Sequence, residues 1–213
     1  RTPQPHPLAE ALWSGQPEEF TRVLGLGANL RVLGCEKDTN LSAKIGELSS
    51  ASFAHVYFEL KMACIYALDG YEVQFIRPMS GVKTPDFSLT KYGLRAVAEC
   101  KKRSATSEAP LDTRVGGVLD RLRDAHAQIA ASATYGVACI EVEDDLDFTS
   151  NADTIEAYTK AVQQELPLRP EITCVVLTWE KILALEGCAL SLSTEFCGIR
   201  NQHPFSVHFS RIP

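Results

Sequence analysis

Two carboxylates and an amine stand at a spacing that could support metal-assisted chemistry. Asp86 is followed, after a spacer of twelve residues, by Glu99 and Lys101, and both segments have the composition of β-strands. Side chains at positions i and i+2 of a strand project from one face, so Glu99 and Lys101 are expected to point the same way. A hairpin turn centred near residues 91 and 92 places Asp86 opposite Val97, one diagonal step from Glu99. The three charged side chains are therefore expected to converge on one patch.

Such a patch suits a hard divalent cation. Mg²⁺ prefers oxygen ligands, usually one or two carboxylates completed by water and substrate phosphate, and Mn²⁺ accepts the same ligands. The cation polarises a phosphodiester and lowers the pKa of a bound water, while Lys101 could orient the nucleophile or balance charge on the phosphate. The trio therefore predicts phosphodiester hydrolysis with Mg²⁺ as the cofactor and Mn²⁺ as a substitute.

The elements around this trio alternate between helices and strands. Apolar spacings of three and four predict helices over residues 8–24, 52–68, 115–131 and 154–164, the first ending at a bend formed by Gly25 and Gly27. Strand patterns occupy residues 71–76, 86–89, 94–100, 135–142 and 172–178, and a shorter β-like tail includes residues 207–209. Strands separated by helices tend to pair in parallel, whereas the central hairpin is antiparallel. The predicted fold class is α/β, a mixed central sheet flanked by helices.

The motif resembles a known signature. Pro85-Asp86, the spacer and Glu99-Cys100-Lys101 look like the motif of the PD-(D/E)XK nuclease superfamily, which has the restriction-endonuclease-like fold. The resemblance covers about residues 50–180 and implies an αβββαβ core in a nuclease domain over residues 51–213, with an N-terminal helical extension over residues 1–50. It also implies a Mg²⁺-dependent endonuclease that acts on nucleic acid, DNA more often than RNA.

The resemblance suggests roles for two residues outside the motif. Members commonly carry an acidic residue on the helix before the first core strand, and Glu59 is the candidate here, as an auxiliary metal ligand or a supporting catalytic acid. Many also carry a polar residue, often Gln, on the helix after the motif, and Gln128 is the candidate for contact with the substrate. The residues themselves leave both roles open, because Glu59 could lie at the surface and Gln128 could be solvated.

Charge is distributed unevenly along the chain. The 213 residues include 21 basic and 27 acidic side chains, a net charge of −6, yet residues 77–123 hold ten basic against five acidic side chains, a local balance of +5. A basic zone around the motif is the electrostatic footprint of a nucleic-acid backbone. Lys102 and Arg103, which directly follow the motif, are the candidate backbone contacts. Sequence-specific recognition is expected to require a homodimer, a partner protein or another domain.

Several other classes of protein are excluded. The seven cysteines form no Cys-x-x-Cys pair, so the pattern indicates neither a disulfide framework nor a zinc site. No apolar run approaches the ~20 residues of a membrane-spanning helix, and the first residues do not form a signal peptide. The five scattered histidines, His55 among them, are expected to be structural or on the surface, and the acidic run over residues 141–147 is expected to be a hydrated loop. A cytoplasmic location and no membrane partner are predicted.

Two alternatives to the nuclease remain open. The same fold could serve as a non-catalytic module that binds nucleic acid or protein, with the charged trio only stabilising the site. The chain begins with Arg1 and not with Met, which suggests a domain of a longer protein, such as the effector or toxin domain of a defence protein. Retention of Asp, Glu and Lys together favours catalysis, because a silent site has no chemical need for all three.

Overall fold

A computed structural model describes residues 17–34, 39–48, 53–102, 109–142, 152–184 and 190–202. The helices within these ranges are α1 (Pro17–Leu33), α2 (Thr39–Glu47), α3 (Phe53–Leu68), α4 (Leu111–Ala131) and α5 (Ala152–Glu165). The strands are β1 (Glu72–Phe75), β2 (Phe87–Lys91), β3 (Leu94–Lys102), β4 (Gly136–Glu141), β5 (Ile172–Ala184) and β6 (Leu190–Arg200). A short 3₁₀ helix, Leu166–Leu168, follows α5. None of these helices combines the length and the apolar character that a membrane crossing requires.

The six strands form one mixed sheet in chain order, from β1 to β6. Strands β1, β2 and β3 pair antiparallel, β3, β4 and β5 pair parallel through α4 and α5, and β6 returns antiparallel to β5. The α/β class and the mixed sheet are therefore confirmed. From α3 to β4 the chain runs helix, three strands, helix, strand, which is the predicted order of elements.

Each face of the sheet has its own helical layer. Ala98 and Cys100 of β3 are buried against α3, and the same apolar cluster takes in Leu26 of α1 and Leu41 of α2. On the opposite face Val97 is buried with α4 and α5. Because side chains alternate along β3, Glu99 and Lys101 share the face of Val97 and therefore lie on the side of α4.

The register of the β2–β3 hairpin differs from the sequence prediction. Phe87 pairs with Ala98 and Lys91 with Leu94, which leaves Tyr92 and Gly93 as a two-residue turn with φ angles of 53° and 76°. Two positive φ values are the mark of a type I′ turn, whose twist suits a hairpin. The placement of Asp86 opposite Val97 is therefore wrong. Extending the observed register by one residue sets Asp86 opposite Glu99, just before β2 begins.

The predicted bounds of the helices and strands also differ from the structure at several other places. The first helix does not bend at Gly25 and Gly27, because α1 runs through both. A Cβ added at Gly25 would lie 3.7 Å from the Tyr57 hydroxyl of α3, so a small residue suits this contact between the two helices. Residues 8–16 of that predicted helix and the tail at 207–209 lie outside the described residues. The sequence reading also missed α2 and β6, and β5 is longer than the predicted strand.

Gly136, at the start of β4, allows α4 to approach the sheet closely. A Cβ placed there would meet Ile129 Cγ2 at 2.7 Å and the Val97 carbonyl oxygen at 2.9 Å. We expect Gly136→Ala to lower the free energy of unfolding by about 2 kcal/mol, the usual scale of overpacking in a core. Urea denaturation checks this, with Gly116→Ala of α4 as the control.

The control is matched because Gly116 lies in a helix with nothing within 4 Å of its added Cβ. Alanine there is expected to leave the stability unchanged or raise it by up to about 1 kcal/mol. Equal effects of the two substitutions would contradict the packing described for Gly136.

Candidate functional site

Asp86 lies directly before β2, at the end of the sheet where side chains from both faces meet. Its backbone N–H donates to the Ala98 carbonyl at 3.0 Å, and its Oδ2 accepts the backbone N–H of Cys100 at 2.7 Å. These two bonds hold the carboxylate beside the backbone of Glu99. Asp86 forms no ion pair within 4.0 Å of a described residue, although the charges of His55 and Lys44 act on it from farther away.

Glu99 and Lys101 meet on the α4 side of β3, as the sequence predicts. Lys101 Nζ lies 2.5 Å from Glu99 Oε1 and donates to Gln128 Oε1 of α4 at 2.6 Å. Gln128 Nε2 donates in turn to the Thr84 carbonyl at 3.0 Å. Gln128 thus links Lys101 to the chain segment that leads into Asp86, and it also lies close enough to Glu99 to lower the pKa of that carboxyl group.

Glu59 reaches the site from α3 on the other face. Its side chain is almost fully buried, so a surface position is excluded. Glu59 Oε2 lies 2.8 Å from Lys44 Nζ of α2, and Oε1 lies 3.0 Å from His55 Nε2 one helical turn earlier. The helix before the first strand and the hairpin therefore bring their acidic residues to the same edge of the sheet.

Ligand atoms of His55, Glu59 and Asp86 all lie within 4.8 Å of one another, a separation that one metal ion can bridge. The Glu99 carboxylate lies close enough to Asp86 for its charge to raise the pKa of Asp86. Glu99 Oε2 is buried, and among the described residues no hydrogen bond of ordinary geometry reaches it, although Gln128 lies near enough to lower the pKa of Glu99. A divalent cation would supply the partner that this oxygen and Asp86 lack. Oxygen donors dominate the set, which fits Mg²⁺, and one imidazole also suits Mn²⁺.

The pKa values show at which carboxyl groups nearby positive charge does not offset the cost of burying a negative charge. Burial, and after it the negative charges of Glu99 and Glu59, raises the pKa of Asp86 well above its usual range. Burial also raises the pKa of Glu99 to about 7, although Lys101 opposes the shift. Burial raises the pKa of Glu59 too, but the hydrogen bond with His55 and the charge of Lys44 outweigh it, so this pKa lies below the usual value. Asp86 and Glu99 therefore gain most from an added cation.

Lys102 does not join the trio, because it projects from the opposite face of β3. Its Nζ lies 2.5 Å from Glu141 Oε2 of β4, while Lys61 Nζ of α3 lies 2.9 Å from both Glu141 Oε1 and Glu180 Oε1. Arg22 of α1 completes this buried network, with Nε 3.2 Å from Glu180 Oε2. Arg103, the other candidate backbone contact, lies outside the described residues.

The same network corrects the interpretation of the acidic run. Glu141 is a buried residue of β4 and not part of a hydrated loop; residues 143–147 lie outside the described residues. Burial raises the pKa of Glu141, but Lys61 and Lys102 outweigh it and hold that pKa below the usual value. Residue Glu141 therefore anchors α3 to the end of β4 through Lys61.

Sequence reasoning missed two residues of the site. His55 precedes Glu59 by four residues, a spacing that places both on one helix face, and this was the available signal. Lys44 carried no such signal, because α2 is short and the contact with Glu59 depends on how α2 packs against α3. The described residues thus add an imidazole and an amine to the predicted set.

Comparison of the chain with protein-family models, with curated proteins and with solved structures finds no match.

Proposed function

We propose that the chain is a metal-dependent nuclease that hydrolyses phosphodiester bonds of nucleic acid, DNA more often than RNA. The observation that carries the proposal is the meeting of Asp86, Glu99 and Glu59 at one edge of the sheet, with Lys101 paired to Glu99. Clustered buried carboxylates are costly without a cation, so such a cluster marks a candidate functional site.

The order of the elements supports a restriction-endonuclease-like core for this nuclease. Helix α3, the three antiparallel strands, α4 and β4 follow one another in the order αβββαβ. Asp86 of the motif lies directly before β2, and Glu99 and Lys101 lie on β3. The proposal includes a relation to the PD-(D/E)XK superfamily. The order of the elements and the motif of Asp86, Glu99 and Lys101 support this relation.

Each residue has a distinct part in the proposed reaction. Asp86 and Glu99 hold Mg²⁺ or Mn²⁺, with Glu59 and His55 as further ligands or as groups that orient them. The chemistry that such a cation supplies is polarisation of the phosphodiester and a lower pKa for water. Lys101 donates hydrogen bonds from its ammonium group, which can orient a water molecule and balance negative charge on the phosphate.

A cleavage assay on four substrates tests the proposal. Supercoiled plasmid, linear duplex DNA, single-stranded DNA and RNA are incubated with the wild-type chain in Mg²⁺, in Mn²⁺ and in EDTA. We expect cleavage of at least one substrate that EDTA abolishes. Absence of cleavage on all four, in both metals, would contradict the nuclease and favour a binding module.

Gln128 is a positioning residue, because it acts on the site through Lys101. We expect Gln128→Ala to lower the single-turnover cleavage rate by about 10-fold, since a mobile amine orients water less well, while the Kd for the substrate stays nearly unchanged. Gln164→Ala, at an exposed position of α5, is the control and should have no effect. A changed Kd with an unchanged rate would show that Gln128 binds substrate directly.

A further inference from the structure

The loop between β1 and β2 borders the candidate site and is largely exposed. We define residues 77–83 as the rim loop; each of them is exposed. Its base is tied to the site, because Ile76 N–H donates to the Asp86 carbonyl at 2.9 Å and Gln128 Nε2 donates to the Thr84 carbonyl at 3.0 Å. The rim loop is therefore held at a fixed place beside the carboxylates.

Two cations flank this loop. Arg77 and Lys83 stand at its two ends, and neither forms an ion pair or a hydrogen bond with any described residue. The two lysines at the end of β3 are occupied, because Lys101 pairs with Glu99 and Lys102 with Glu141. Arg77 and Lys83 are thus available for an external anion.

The apex of the rim loop is apolar. Met79 and Val82 are 60% and 50% exposed, and a turn closed by the Val82 N–H and the Met79 carbonyl at 3.1 Å brings them together. Gly81 takes a positive φ of 76° within that turn, which favours glycine and fixes the apex. Two exposed apolar side chains between two unpaired cations match a duplex, which presents phosphates outside and stacked bases inside.

We propose that the rim loop contacts duplex nucleic acid, with Arg77 and Lys83 on backbone phosphates and Met79 and Val82 inserted between neighbouring bases. The inference rests on the proposed nuclease function and specifies that the substrate is double-stranded. Apolar wedges of this kind unstack a base step and kink the helix, and flanking cations repay that cost. The bent nucleic-acid backbone then lies over Asp86, three residues after the end of the rim loop.

Binding of a fluorescent duplex, followed by anisotropy in EDTA between about 50 and 200 mM salt, tests the phosphate contacts. The double variant Arg77→Ala/Lys83→Ala should weaken binding and make the slope of log K against log salt shallower by about 2. Arg31→Ala/Lys160→Ala, which removes two exposed cations elsewhere, is the control. Equal slopes for the two double variants would overturn these contacts.

A duplex that carries 2-aminopurine tests the insertion, because the base fluoresces when it is unstacked. We expect the wild-type chain to raise this fluorescence severalfold and Met79→Ser/Val82→Ser to abolish the rise. Leu168→Ser, at a position that is 71% exposed, is the control and should keep it. A rise that survives in the double variant would overturn the insertion and leave the apex as a candidate contact for a partner protein.

The outcomes separate this inference from the proposed function. Metal-dependent cleavage with unaltered binding by the loop variants would overturn the proposed role of the rim loop and leave the nuclease function in place. Binding that depends on the loop, without any cleavage, would overturn catalysis and keep the loop as a binding element. A wild-type chain that neither binds nor cuts nucleic acid would overturn both.

Discussion

Replacing Asp86 with Asn is expected to lower metal-dependent cleavage by about 10³-fold or more. The substitution removes the negative charge that would hold the cation, yet an amide oxygen can still accept the Cys100 N–H that Asp86 Oδ2 accepts at 2.7 Å. The fold is therefore expected to persist while the metal chemistry is lost, and loss of a metal's charge stabilisation costs several kcal/mol in the transition state. Single-turnover cleavage of the substrate found in the four-substrate assay measures the effect.

The control for this substitution is Asp120→Asn, an exposed aspartate of α4 that pairs with Arg123 at the surface. It makes the same chemical change far from the carboxylate cluster and should leave the cleavage rate within about twofold of the wild type. Comparable losses in both variants would contradict a specific role for Asp86. Cleavage by folded Asp86→Asn at the wild-type rate would do the same.

Replacing Glu99 with Gln is expected to stabilise the metal-free protein at about pH 8. The folded-state pKa of Glu99 is about 7, above the ordinary value of 4.5, so the folded chain holds a proton that the unfolded chain has released between these values. Stability contributed by this group is present below about pH 4.5 and is lost as the pH rises to about 7. Glutamine removes that loss, worth about 3 kcal/mol at pH 8.

Urea denaturation in EDTA at about pH 4.5 and pH 8 measures this effect, with Glu156→Gln at an exposed position of α5 as the control. The gain should be confined to the higher pH, and the control should show none. Addition of Mg²⁺ should then stabilise the wild type and not Glu99→Gln. A loss of stability in Glu99→Gln at pH 8 would mean that the pair with Lys101 is a structural ion pair.

The sequence was most informative where local pattern determines structure. Alternation along β3 placed Glu99 and Lys101 on one face. The helical period predicted α3, and the family resemblance indicated Glu59 on it. The predicted hairpin register was wrong because the turn lies at Tyr92 and Gly93, one residue later than expected, and such a slip moves every cross-strand pair. Tyr92 is an unusual residue at positive φ, so a turn at residues 92 and 93 is hard to predict from residue types.

Long-range contacts account for most of what the sequence could not reveal. The acidic run that begins at Glu141 predicts a hydrated residue, yet Glu141 is buried and pairs with Lys61, 80 residues earlier. Likewise α1 continues through two glycines because tertiary packing outweighs their low helix propensity. Lys44 joins the site only through the packing of α2 on α3. Ion pairs between distant segments leave no periodic signal in the chain.

The proposed chemistry depends on a divalent cation held by the carboxylates around Asp86. Titration of the wild-type chain with Mn²⁺, followed by the loss of the free-ion electron paramagnetic resonance signal, tests it without reference to any substrate. We expect saturable binding by the wild type and by Asp120→Asn, and binding at least about 10-fold weaker by Asp86→Asn. Equal binding by the wild type and Asp86→Asn would contradict the metal site, and with it the proposed chemistry.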